Sequence, residues 1–124
     1  MRTATALVLG LVALLHLLPA IGVLGGAQLQ RLYGVEAADG DAELLLRHRA
    51  VTFALLGSFL TVAAFRPELQ APALLAAFAS VASFLLLAGP SGAHTPEIAA
   101  VIRADRIALG LLLLGAVAHG LRPD

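Results

Sequence analysis

The chain has 124 residues, is 60% hydrophobic and carries a mean hydropathy of +0.93. Charged residues make up 13% of it, against roughly 25% in an ordinary soluble domain, so lipid is the natural solvent for its surface. A net charge of zero argues against nucleic acid as a partner, and the absence of cysteine excludes disulfides, thiol redox chemistry and iron–sulfur ligation.

A hydrocarbon core about 30 Å thick takes roughly 20 apolar residues per helix. Four segments meet this: about 4–27, 43–65, 71–88 and 97–121. The expectation is an all-α, integral membrane four-helix bundle that uses the whole chain as one domain. The first segment also has features of a signal peptide, with Arg2 ahead of an apolar run. Its apolar run is long for that role and contains His16, so a retained helix is expected. Pro19 cannot donate to the carbonyl of Leu15, which predicts a kink in this helix. Gly22 and Gly26 form a GxxxG, read as a helix contact.

Residues 28–42 alternate apolar and polar side chains, which suggests a short interfacial turn with Tyr33 at headgroup level and Gly34 as its stop. Asp41 is positioned to cap the second long helix, with Glu43 in its first turn. Arg66-Pro67 ends that helix and makes a tight turn into the third. Gly89-Pro90 ends the third, and Thr95-Pro96-Glu97 reads as an N-cap, a proline at the first helical position and an acid near the positive helix end. Four spans put both termini on one side with Arg2, Arg66 and Arg122, while Arg31 lies opposite among Glu36, Asp39, Asp41 and Glu43. The positive-inside rule then makes the termini cytoplasmic; counting Arg47, Arg49, Arg103 and Arg106 as flanking charges would reverse this, but they lie within the helical patterns. All eight basic residues are arginine, which with the heavy use of Ala and Leu suggests a GC-rich bacterial genome and hence the bacterial cytoplasmic (inner) membrane.

The chemistry is concentrated at one end. Arg47, His48 and Arg49 lie a turn inside the second helix, and Arg103, Asp105 and Arg106 about two turns inside the fourth. At about 1.5 Å rise per residue both groups reach a shared depth of roughly 5–14 Å. An Arg or Asp within a span costs about 2.5–3.5 kcal/mol, so these six are expected to converge on the interior or its wet rim. Asp105 is expected to pair with Arg49 or Arg47, and Glu43 with Arg47 at i, i+4. Four arginines against two acids then leave positive charge for a ligand: a lipid phosphate, a carboxylate or a quinone carbonyl, each suited to guanidinium forks. The competing reading is that these arginines snorkel and anchor helix ends.

His16, near mid-membrane, is either a proton carrier at the floor of this funnel or a neutral imidazole satisfied by a helix carbonyl or by Ser80 or Ser83. With His16 and Asp105 as candidate catalytic groups, the alternatives to ligand binding are a quinone- or lipid-linked enzyme and a small proton-coupled transporter. A metal or haem site is not expected. His16 and His48 differ in depth by roughly 10 Å, His119 belongs to the opposite surface, and His94 falls in a loop. No cofactor is implied. The partners implied are a membrane lipid or amphipathic anion, with a membrane-protein partner or a second copy of the chain possible.

Three stretches, Arg31-Leu-Tyr-Gly-Val35, Leu45-Leu-Arg-His-Arg-Ala-Val-Thr-Phe-Ala-Leu-Leu-Gly57 and Ala64-Phe-Arg-Pro67, resemble small four-span bacterial membrane proteins that are distantly like the DoxX-type family. The resemblance implies a four-helix membrane fold and brings no activity with it.

Overall fold

The computed structural model describes residues 2–36, 39–90 and 92–121. It is helical, with no strand among the described residues: α1 Arg2–Leu17, a 3-10 segment Leu18–Leu24, α2 Gly26–Tyr33, α3 Gly40–Phe65, a 3-10 turn Pro67–Leu69, α4 Gln70–Ala88 and α5 Pro96–Gly120. Three helical stretches are long and apolar enough to cross a membrane: Arg2–Leu24, Gly40–Phe65 and Pro67–Ala88. The fourth long helix, α5, is 25 residues long but carries Glu97, Arg103, Asp105 and Arg106 in its first half and is not among them.

The local chemistry explains the boundaries. Pro19 lacks an N–H, and at Leu18 the helix passes from α to 3-10 geometry, beside the proline at which a kink is expected. Helix 1 therefore ends at Leu24, short of the expected Ala27, and Gly25 turns the chain at φ 129°. The segment read as an interfacial turn is a full helix, α2, closed by Gly34 in the left-handed region at φ 62°, with its N–H bonded to Gln30 O at 2.7 Å. Asp39, not Asp41, caps α3. Its extended backbone lets the carboxylate accept from Ala42 N at 2.7 Å, and Asp41 sits in the first turn beyond it. Thr95 caps α5 as expected, accepting from Ile98 N at 3.1 Å, with Pro96 at the first helical position.

The four long helices pack against one another. α1 lies closest to α3 and also contacts α5, α5 contacts α4, and α3 contacts α4. Leu9, Val12, Leu60, Ala77, Val81 and Leu112 form the centre of the core. Small residues set the spacing, though not at the GxxxG. Gly26 belongs to α2 and faces the Glu43 carboxylate, while Gly22 packs on Leu29 and Leu32. The tight crossings fall instead at Gly57, against Leu17 and the Ala13 carbonyl, and at Gly115, against Val8. Large apolar side chains point outward, as at Phe65 (81% exposed), Leu86 (81%) and Leu87 (88%). Arg122, one of the arginines behind the expected orientation, lies outside the described residues.

A Cβ on Gly57 would stand 2.7 Å from Leu17 Cγ and 3.3 Å from the Ala13 carbonyl oxygen, whereas one on Gly110 meets nothing within 4 Å. Gly57→Val should therefore destabilise the fold by about 1–3 kcal/mol through overpacking. Gly110→Ala should leave stability unchanged or raise it by up to about 1 kcal/mol. Thermal unfolding in detergent, followed by circular dichroism, checks both.

Candidate functional site

Arg49 and Asp105 each lie nine residues beyond the first residue of their helix (49 − 40 and 105 − 96), so α3 and α5 carry them to matching depth. They line one cavity of about 360 Å3 between α1, α2, α3 and α5. Its polar lining comprises His16, Arg31, Tyr33, Arg49, Glu97 and Asp105, and Leu15, Pro19, Phe53 and Val101 belong to its apolar wall. Arg47, His48, Arg103 and Arg106 are exposed and lie outside this lining, so of the six charged and imidazole groups only Arg49 and Asp105 enter the cavity. The cause is angular. Adjacent helical residues point about 100° apart, so one face of α3 can send inward only one of three consecutive residues, and α5 sends Asp105 rather than Arg103 or Arg106.

The expected pairings are replaced by others. The one ion pair among the described residues is the exposed Arg66–Glu68 contact at 3.5 Å, so neither Arg49–Asp105 nor Glu43–Arg47 closes to 4.0 Å. Arg47 Nε donates to the Val23 carbonyl at 2.9 Å and fastens the end of the 3-10 segment to α3.

Arg49 is held by an aromatic surround. Its Nη1 donates to the Tyr33 hydroxyl at 2.6 Å. Its guanidinium carbon lies 4.5 Å from the Phe53 ring centre, 5.1 Å from Tyr33 and 5.6 Å from Phe84. Cation–π contacts of this kind contribute about 0.5–2 kcal/mol each, more as water is removed. Tyr33, expected at headgroup level, is buried (5% exposed), and its carbonyl accepts from Thr95 Oγ1 at 2.5 Å. Thr95 thus uses its oxygen to cap α5 and its proton to hold the end of α2. A Cβ at Gly34 would meet Thr95 Cβ at 3.1 Å and displace the movable Glu97 carboxylate, so it is chiefly the positive φ that calls for glycine here.

His16, 3% exposed, closes the floor. Its Nδ1 lies 2.9 Å from the Val12 carbonyl, which can only accept, so Nδ1 carries the proton. Nε2 lies 3.2 Å from Ser80 Oγ, so both ring nitrogens have a partner. Phe53 packs against its ring at 5.5 Å. No group of three His, Asp or Glu among the described residues is arranged to hold a metal ion.

Sequence reasoning missed Phe53, Phe84, Arg31 and Glu97 as members or neighbours of the site. Arg49 and Phe53 are i, i+4 on one helix, a spacing that puts the ring beside the guanidinium and could have been noticed. Phe84 comes from another helix and left no local signal.

Thr95→Ala removes both the α5 cap and the tie to Tyr33 and should cost about 1–2 kcal/mol. Thr52→Ala removes only a bond from Oγ1 to its own helix, to Arg49 O at 2.7 Å, and should cost less than about 0.5 kcal/mol. Hydrogen exchange at Ile98 and thermal unfolding in detergent separate the two variants.

Comparison of the chain with family models, with curated proteins and with solved structures finds no match.

Proposed function

We propose that this chain is a four-span protein of the bacterial inner membrane, distantly DoxX-like, with both termini cytoplasmic. In this reading it binds a lipid or other amphipathic molecule whose head presents an oxygen to Arg49. The observation that carries the reading is the state of Arg49. It is a half-buried guanidinium with five N–H donors, a hydroxyl and three rings around it, no carboxylate within 4.0 Å, and a cavity in front of it. A permanently charged group in such a place is compensated fully only when an oxygen acceptor arrives.

The cavity's charges narrow the head group. Arg31 and Arg49 are matched by Glu97 and Asp105, so the lining is neutral in sum rather than positive. That balance favours an ester or acid carbonyl, a carboxylate or a single-charge phosphodiester over a doubly charged phosphate. A hydroxyl on the head would find Asp105 as its acceptor. α5 crosses the membrane as the fourth span in this reading because the charges that keep it from being plainly apolar divide between this cavity (Glu97, Asp105) and the surface near one leaflet (Arg103, Arg106). The catalytic alternative requires a free base beside Asp105. His16 has both ring nitrogens engaged, which supports binding over proton transfer.

Two measurements test this. The chain has no cysteine, so Glu36→Cys and Glu68→Cys each give a single thiol. An impermeant maleimide on intact cells should label Cys at 36 from outside and reach Cys at 68 only after permeabilisation. The opposite pattern inverts the protein, and labelling of both from one side removes the four-span topology. Second, Arg49→Gln should lose at least tenfold of the co-purifying amphiphile by native mass spectrometry while Arg47→Gln keeps it. An unchanged complement in Arg49→Gln would reduce the arginine to a helix-packing group.

A further inference from the structure

Arg49 and Phe53 face two spaces. Besides the cavity already described they line a groove of about 450 Å3 between α3 and α4, with Thr52, Leu56, Ser80 and Phe84 among its other walls. Groove and cavity therefore meet at one guanidinium and one phenyl ring. The hydroxyls in the groove are already spoken for. Thr52 Oγ1 donates to Arg49 O at 2.7 Å, Ser83 Oγ donates to Ser80 O at 3.0 Å, and Ser80 Oγ lies 3.2 Å from His16 Nε2. With its polar side chains turned back into the protein, the groove offers a chain-like molecule an apolar bed, ending at a charged group.

From this continuity we infer that the amphiphile lies astride Arg49, with its oxygen head in the α1–α2–α5 cavity and its hydrocarbon chain in the α3–α4 groove, so that the groove is both its tail site and its entry from lipid. The inference rests on the binding reading above and adds the path of the tail. The geometry favours this path over one beneath His16. His16 is packed against Phe53 and tied to Val12 and Ser80, so the floor of the cavity is closed by satisfied groups. The α3–α4 side opens outward past Leu87, which is 88% exposed. Phe53 and Phe84 cover the guanidinium from the groove side, so a head entering by this route exchanges ring contacts for charge-assisted hydrogen bonds, which are the stronger interaction.

The chain contains no tryptophan, so a single one reports on its own surroundings. Three variants serve: Leu87→Trp at the groove mouth, Leu18→Trp at the cavity, and Leu114→Trp on the outer face of α5. Each is reconstituted in phosphatidylcholine vesicles and titrated with stearic acid, or its methyl ester, bearing a nitroxide partway along the chain. The acid and ester arms separate a carboxylate head from a neutral carbonyl head. Saturable quenching at positions 87 and 18 is expected, with only linear, partition-type quenching at 114. Arg49→Gln in the Leu87→Trp background should shift half-saturation at least tenfold upward, with an unchanged circular dichroism spectrum. Saturation at 18 but not at 87 leaves the head site standing and overturns the tail path. Linear quenching at all three positions in both arms overturns the tail path and the binding reading together. Saturation at 87 that is indifferent to Arg49→Gln makes the groove a lipid slot unconnected to the arginine and overturns the inference.

Discussion

An arginine side chain cannot shed its charge, and in lipid it cannot borrow water. Much of the arrangement at one end of this molecule follows from that constraint acting on Arg49. Its guanidinium needs partners, and the fold brings them from three directions: Tyr33 from α2, Phe53 from its own helix, Phe84 from α4. Tyr33 can reach Arg49 only because α2 folds back over the bundle's end, and α2 can fold back only because Gly25 and Gly34 accept positive φ on either side of it. The carbonyl of the same tyrosine takes the Thr95 proton, so the start of α5 is fixed by the residue that solvates the arginine. A charge-assisted hydrogen bond of about 1.5–3 kcal/mol with three ring contacts is of the same order as the roughly 2.5–3.5 kcal/mol that a central arginine costs a span.

Away from that end the buried residues are mainly apolar, with Thr5 and Gln70 the polar side chains enclosed among them. Lipid tails are as apolar as leucine, so leucines gain little by turning inward, and close packing of small residues does the work instead. The outward Leu86, Leu87 and Phe65 and the close approaches at Gly57 and Gly115 are two sides of the same rule. The small residues that matter are those at which two backbones cross, and this depends on helix rotation, which composition cannot supply.

That dependence separates what was legible in the sequence from what was not. Long apolar runs, Thr95 before Pro96, Gly34 as a stop and Pro67 as a break are local signals, and each marks a real boundary. The proline effect on helix 1 was legible as to place, while the change to 3-10 geometry was not, because several local geometries answer a missing N–H. The capping residue of α3 was misplaced by two positions, since Asp39 and Asp41 are chemically alike and only the extended backbone at Asp39 decides between them. At the site, depth was legible and direction was not. Counting residues places Arg47, Arg49, Arg103 and Asp105 near one level, yet only Arg49 and Asp105 turn toward the cavity. The hydropathic period that would have given each helix its inward face is weak here, because a helix surrounded by lipid on one side and apolar neighbours on the other is apolar all round.

The polar ties also decide where the assembly is able to open. Around the cavity they join α1 to α4 through His16 and Ser80, α2 to α3 through Tyr33 and Arg49, the 3-10 segment to α3 through Val23 and Arg47, and α2 to α5 through Tyr33 and Thr95. The α3–α4 groove, by contrast, is walled by rings, aliphatic side chains and hydroxyls bonded within their own helices or to His16. A hydrogen bond between helices in an apolar medium resists separation, because its partners find no water on parting, whereas ring and aliphatic contacts trade readily for contacts with a lipid chain. The seam beside Arg49 that yields at least cost is therefore the one between α3 and α4, and it leads from the lipid to a half-buried guanidinium with no carboxylate within 4.0 Å.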